Sequence, residues 1–390
     1  MQIAPHFLPV RRNLKYGGIE RVVFDLDRQL IKEGQDSYVV ATRNSKVFGR
    51  LCSTLPCNTL VLKENKKGWK YEEMDANNSK FEEHCSKTLE YIRKIKPDIV
   101  HDHAGFIQSQ AFRNSNNNPP ILYTLHGPLN NNNRERFRAL GQAVSKKNVF
   151  FNAVSESQKK DFNEVMNVDY LIYHSIEIDE FPFQEKGEGY IFTLGLIADY
   201  KGTDIALDVA KEIGKKIIIA GPIHDSVSKM KLYWENEIKP RIEKFEKDIP
   251  FNQVQDFVDW FMNSKYNSVY VGELDDFQKK EWYKRADAFY YPTQIQEAFG
   301  LVIIESMACG TPVIAYNKGP VKEIVNHGET GYLVDEGSIR DFCDYSLKIG
   351  ILSREKCRQH VKDKFALKNK IKEYLKVYED IVSRTFLTSN

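Results

Sequence analysis

Short apolar runs bounded by polar turn residues alternate along this chain with segments whose apolar positions recur every three to four residues. Runs of the first kind read as strands: 37–41, 59–62, 98–101, 121–125, 149–152 and 170–173, then 190–194, 216–220, 268–271, 286–291, 311–315 and 331–334. Strands that alternate with amphipathic helices predict parallel sheets with helices packed over them. Two sets of six such strands predict an α/β chain of two Rossmann-like domains. The break falls in 174–189, where Ser, Glu, Asp, Pro and Gly cluster and no period holds, so the expected domains are 1–178 and 179–365. Residues 225–265 carry Trp234, Trp260 and many Lys and Glu at helical spacing, which predicts a helical elaboration between two strands. A last helical pattern fills 365–383.

Composition narrows the class without naming a ligand. At 390 residues the chain is long for a single core, and 42% hydrophobic with 28% charged residues is the balance of a globular protein. Net charge is +2; residues 1–180 hold 26 Lys+Arg against 22 Asp+Glu (+4) and the remainder 30 against 32 (−2), so nothing global points to nucleic acid. No apolar stretch approaches the ~20 residues that cross a bilayer, and residues 1–10 lack a basic region followed by an apolar core. Cytoplasmic residence is the expectation. Six scattered cysteines without a C-x-x-C pair predict reduced thiols.

The most informative window is Tyr291-Pro292-Thr293-Gln294-Ile295-Gln296-Glu297-Ala298-Phe299-Gly300-Leu301-Val302-Ile303-Ile304-Glu305. A strand leads into it and a helix opens at Gly300. A helix start offers unsatisfied N–H groups and the positive end of the dipole, and a glycine there lets an anion come close. Glu297 precedes that point in the loop. Glu305 follows it by five residues, roughly 7–8 Å along the axis. Carboxylate, anion hole, carboxylate is an order suited to sugar, diphosphate and ribose. Most Glu residues are solvated, but Glu305 interrupts an otherwise apolar helix, where a buried charge requires partners.

This window, continuing through Met307-Ala308-Cys309-Gly310-Thr311-Pro312-Val313, resembles the E-x7-E signature of retaining glycosyltransferases of family 4, which have the GT-B fold. The resemblance implies two Rossmann-like domains facing each other across a cleft, with a C-terminal helix over 366–390 crossing back to the first. It further implies that Glu297 contacts donor-sugar hydroxyls, that the amides of Gly300, Leu301, Val302 and Ile303 hold a diphosphate, and that Glu305 binds the ribose.

Other segments fit the same scheme. Gly17-Gly18 precedes an amphipathic helix, where paired glycines admit positive φ and close approach of a ligand; the position resembles the family's glycine loop against donor phosphates and sugar. Lys201-Gly202 opens a helix, and a cation there opposes the dipole unless it meets an anion. In the family this lysine acts with an arginine five residues earlier, a place held here by Leu196. His126 in Tyr123-Thr124-Leu125-His126-Gly127 ends a strand, where α/β sheets place ligands, and resembles the T-x-H segment beside the donor sugar. His101-Asp102-His103 alternates as metal ligands can, but no further ligand pattern accompanies it, so no metal is expected. Lys146-Lys147, Lys159-Lys160, Arg134, Arg136 and Arg138 read as a solvated basic face or as a contact with anionic lipid carriers.

The expectation is therefore a hexosyltransferase-type enzyme without cofactor or metal. It would move a sugar from a nucleoside-diphosphate donor, UDP- or GDP-linked, to a hydroxyl of a glycan, lipid carrier or small molecule. His126, Glu297 and Lys201 are the expected catalytic side chains. Two rivals stand beside it: a non-catalytic nucleotide-sugar binder, motivated by Leu196, and a sugar phosphorylase, which needs a pyridoxal phosphate lysine that no segment resembles.

Overall fold

A computed structural model describes residues 1–15, 17–65, 68–73, 79–145, 147–224, 227–245 and 254–388. The chain divides into two compact units, Met1–Ser175 with Leu367–Asn390, and Ile176–Ala366.

The first unit carries a parallel sheet in the order Arg50–Ser53, Tyr38–Ala41, Gln2–Ile3, Val100–Asp102, Ile121–Thr124, Val149–Ala153, Tyr170–Leu171. Gln2–Ile3 is too short to show a period, and Arg50–Ser53 is a polar edge strand, so neither is visible in the hydrophobic pattern. The 59–62 run does not join this sheet. Leu60–Asn65 pairs antiparallel with Gly68–Glu73 in a separate ribbon, because a partner two residues away needs no crossover. Ile3, Val40, Val100, Ile121, Phe151 and Phe162 belong to the core of the unit. The helix Leu367–Thr388 packs on Gly18–Lys32, joining Ile371, Tyr374 and Ile381 to Leu26, Leu30 and Leu122. Polar bonds fix its place: His101 Nδ1 lies 2.7 Å from the Tyr378 hydroxyl, and Tyr170 donates to Asp380 at 2.5 Å.

The second unit has the strand order Lys244–Phe245, Ser268–Tyr270, Lys216–Ala220, Tyr190–Leu194, Ala288–Tyr291, Val313–Tyr316, Gly331–Val334, all parallel. Runs such as Ile217-Ile218-Ile219 are buried throughout, as central parallel strands are. Lys244–Phe245 adds an edge strand where the sequence predicts helix. The rest of that segment is the helix Ser228–Tyr233, a π turn Trp234–Ile238, a 3-10 turn Lys239–Arg241 and the helix Val254–Asn263; residues 225, 226 and 246–253 lie outside the described residues. Trp234 packs on Tyr270, with ring centroids 5.0 Å apart.

Tyr190–Leu194 pairs with Lys216–Ala220 on one side and Ala288–Tyr291 on the other. Strand order reverses there, and ligands of open α/β sheets bind outside the carboxyl ends of such a pair. The loops leaving these strands come very close. Gly221 has φ +138°, and a Cβ built on it would stand 1.7 Å from the Gly195 carbonyl oxygen. Gly221→Ala is therefore expected to remove about 3 kcal/mol of stability, or roughly 6–12 °C of Tm. Gly350→Ala, where a Cβ meets nothing within 4 Å, should change little. Equal melting temperatures for the two variants would refute the steric account.

Candidate functional site

The chain leaves the strand Ala288–Tyr291, runs through the loop that holds Glu297, and turns at Gly300 into the helix Leu301–Ala308. Gly300 has φ +121° and caps the helix without a side-chain bond. Of the amides expected to meet an anion, that of Ile303 already donates to the Gly300 carbonyl at 3.0 Å, which tightens the first turn. Leu301 and Val302 are half-buried at the helix mouth, while Ile303 and Ile304 are buried.

The structure brings Lys201 and Glu297 together. The Lys201 ammonium donates to Glu297 Oε1, and both side chains keep about a quarter of their surface. Lys201 ends the 3-10 turn Asp199–Lys201, and Gly202, at φ +70°, caps the helix Thr203–Glu212. A Cβ on Gly202 would lie 2.3 Å from the Pro292 carbonyl oxygen, so glycine permits the two loops to touch. Gln294 ties them further: its amide donates to Tyr200 O at 2.8 Å and its Nε2 to Asp199 O at 3.0 Å. The buried Tyr291 hydroxyl is pushed up by burial and, second, by the charge of Glu297.

Leu196, at the place of the family's arginine, is half-buried in the same loop system. A second ammonium does reach this rim. Lys318, just beyond the strand Val313–Tyr316, donates to the Gln294 carbonyl and to Glu336 at 2.6 Å. Its sequence context, Asn317-Lys318-Gly319-Pro320, reads as a loop and carries no sign of this contact.

Glu305 is the fifth residue of its helix and 4% exposed. The partner that a buried charge requires is Lys279, which donates to Glu305 Oε1 at 2.5 Å and lies 3.1 Å from Asp276 Oδ1. Lys280 donates to the same Asp276 at 2.8 Å. The sequence gives no hint of this network, since Asp276–Arg285 has the composition of a solvated helix.

The remaining site residues lie in the first unit. Gly17, at φ +112°, precedes the helix Gly18–Lys32, and a Cβ there would be 2.8 Å from Glu20 Oε2. Glu20 escapes notice in the sequence as an ordinary first-turn acid, but burial pushes its carboxyl up to about 7. His126 lies just beyond the strand Ile121–Thr124. Its Nε2 is 2.9 Å from His103 Nδ1, and its ring stacks on His174 at 5.2 Å. His101 continues the column, 3.9 Å from the His103 ring. Burial, the largest cause, holds His101, His103 and His126 well below the ordinary imidazole range and His174 at about 4, so these rings are neutral at pH 7.

The polar atoms of His101 and Asp102 serve the fold. His101 bonds Thr124 and Tyr378, each at 2.7 Å, and Asp102 accepts from the amides of Ala104, Gly105 and Ile107. On the basic face, Arg134 pairs with Glu164 at 2.8 Å and Arg138 with Glu135, while Lys146 lies outside the described residues. Among the described residues no helix is long and apolar enough to cross a membrane.

Comparison with known proteins adds to this geometry. The family model described as "Glycosyl transferases group 1" matches residues 175–364, and that described as "Glycosyltransferase Family 4" matches residues 16–180. The N-acetyl-alpha-D-glucosaminyl L-malate synthase of Bacillus anthracis is 36% identical over 93 residues, which cover 22% of this chain and 24% of that enzyme. An uncharacterized glycosyltransferase of Methanocaldococcus jannaschii is 23% identical over 299 residues, 73% of this chain and 76% of the relative. The first-named relative is thus matched over about a quarter of its length. The sucrose-phosphate synthase structure from Thermosynechococcus elongatus superposes with a TM-score of 0.71 at 16% identity, covering 98% of both chains. An Anabaena protein solved with UDP and glucose gives 0.67 at 13% identity, covering 97% of this chain and 98% of that one. These likenesses show a GT-B fold.

Proposed function

The chain belongs to the family 4-type glycosyltransferases of GT-B fold, and from that premise we propose that it moves a sugar from a nucleoside-diphosphate donor to a hydroxyl acceptor with retention of anomeric configuration. The observation that carries this reading is the Lys201–Glu297 pair, held beside the Gly300 helix mouth at the reversal of strand order.

In this reading the diphosphate rests on the helix mouth at Gly300, Leu301 and Val302, with the Lys201 ammonium against it. Charge grows on the diphosphate as the bond from the sugar's anomeric carbon to the phosphate oxygen breaks. A fixed ammonium and a helix dipole stabilise that charge without reorganising, the form of stabilisation that often dominates catalysis. Glu297 accepts from sugar hydroxyls and Glu305 from the ribose. The acceptor oxygen bonds to the anomeric carbon on the face the leaving group departs, and its proton passes to a phosphate oxygen. No metal or cofactor is required by these steps. Gly17, Gly18 and His126 are assigned to the donor's phosphates and sugar on the family resemblance; a neutral His126 would act there by hydrogen bonding. A UDP-linked donor draws support from the Anabaena relative of the same fold, solved with UDP and glucose.

Titrating a panel of UDP- and GDP-sugars by calorimetry, with an assay for released nucleoside diphosphate, tests the reading. One donor is expected to bind and turn over, and Glu305→Ala to weaken its binding at least tenfold, ~1.4 kcal/mol. Unchanged affinity in that variant would remove Glu305 from the donor site. Leu196 in the arginine position favours one alternative, a nucleotide-sugar binder without turnover. Nucleotide affinity with no release of product, and with Glu297→Ala unaffected, would establish it instead.

A further inference from the structure

We propose that Lys279 is a positioning residue for nucleotide recognition, its ammonium fixing the Glu305 carboxylate in the orientation that meets the ribose diol. The inference rests on the assignment of Glu305 to the ribose.

The Glu305 helix is largely apolar around the acid, while the buried residues of the Lys279 helix mix Asp276, Lys280 and Arg285 with aromatic side chains. Ile303, Ile304, Met307 and Ala308 of the Glu305 helix are buried, as are Trp282 and Tyr283 on the helix that carries Lys279. Lys279 and Glu305 are each 4% exposed and Asp276 3%. Well-packed apolar side chains of similar volume would generally be at least as stable at such positions, because desolvating two ions offsets much of their attraction. A purely structural role therefore does not account for the choice of residues. Orientation does.

A glutamate on a helix turns about three side-chain bonds, and two adjacent hydroxyls can donate to it together only if its carboxylate plane is held. Lys279 supplies that hold through the 2.5 Å bond to Oε1. A carboxylate accepts about four hydrogen bonds, so one bond from lysine is compatible with a diol as well. The lysine is itself anchored. Asp276, one turn earlier on the same helix, lies 3.1 Å from its ammonium, and Asp276 is in turn held by Lys280 at 2.8 Å. The chain Lys280, Asp276, Lys279, Glu305 alternates in sign and ends on the acid assigned to the ligand. A preorganised acceptor of this kind loses less freedom on binding than a mobile one.

The test compares affinities of UDP and GDP with those of their 2′-deoxy counterparts, by calorimetry, in wild type, Glu305→Gln, Lys279→Gln and Lys279→Arg. Wild type is expected to prefer the ribonucleotide about tenfold or more, as for a hydrogen bond to a charged group. Glu305→Gln and Lys279→Gln should both bring that ratio below about threefold, while Lys279→Arg, which keeps a charged donor, should retain most of it. A lysine that only supports the fold would lower the melting temperature and leave the ratio alone. A Lys279→Gln protein that melts lower but discriminates as wild type overturns the inference and spares the donor-site reading. Should Lys279→Gln not fold, Asp276→Asn, which removes the lysine's own anchor, takes its place, and a folded Asp276→Asn protein that discriminates as wild type overturns the inference. A wild-type ratio that survives Glu305→Gln overturns the reading itself.

Discussion

Lys201→Ala is expected to lower kcat for donor turnover by about a hundredfold to a thousandfold, the range for removing one preorganised donor from a developing oxyanion. The reason lies in what the lysine faces. In the free protein its ammonium neutralises Glu297, and both stand at the rim where a helix dipole already attracts an anion. Without the lysine, an incoming diphosphate meets the Glu297 carboxylate with one fewer cation between them. Lys318, held by Gln294 and Glu336, remains and is expected to keep some donor affinity. Lys201→Arg should recover part of the loss. Lys229→Ala is the control, because Lys229 forms an exposed pair with Asp199, and such pairs contribute little. The measurement is release of nucleoside diphosphate under saturating donor. Turnover within threefold of wild type in Lys201→Ala would remove this lysine from the chemistry.

Acid should unfold the first unit well before the second. His84, His101, His103, His126 and His174 all lie there, buried and shifted down from the ordinary value of 6.5, His84 to about 3 and His174 to about 4. A depressed imidazole binds fewer protons folded than unfolded, so its contribution to stability is present above pH 6.5 and is lost as pH falls through that value. Glu20 and Asp102, raised by burial to about 7 and about 6, act with the opposite sign: they hold protons in the native state, and their contribution is lost as pH rises. The imidazoles outnumber the acids. The net direction below pH 6.5 is therefore an uptake of protons on unfolding, and the first unit loses stability as pH falls. Calorimetry from pH 7.5 to 5 should show one transition move down steeply while the other moves little. Parallel shifts of both would refute the assignment to the histidine column.

Much of the fold was legible because burial on both faces leaves long apolar runs. Tyr190–Leu194, Lys216–Ala220 and Gly331–Val334 have the same bounds in the pattern and in the structure. What escaped was short or polar. Gln2–Ile3 is two residues long, and Lys244–Phe245 offers one apolar side chain to an edge. At the site, Gly300 could be placed at a strand-to-helix turn, and Glu297 and Glu305 on either side of it, because a glycine between an apolar run and a helical period has few other meanings. Partners were another matter. Along Asp276–Arg285 local hydropathy puts Phe277 inside and the lysines outside, yet Phe277 is 51% exposed and Lys279 is buried. The acid on a neighbouring helix draws the lysine in, and no window of one helix contains that information. The histidine column is invisible for the same reason: His101 lies on a strand and His103, His126 and His174 beyond strand ends, so they meet only through the order of those strands.

The contact of Gly202 with the Pro292 carbonyl, together with the two bonds from Gln294 to the 199–200 backbone, makes the two rims of the second unit a single mechanical part. A chimaera that imports a relative's 292–300 alone would set a foreign backbone against Gly202 and, without glutamine at 294, lose the side-chain tether to Asp199 O. Exchange of 195–202 and 292–300 as one cassette keeps the two rims matched, so retuning of ligand choice by recombination is confined to paired crossovers.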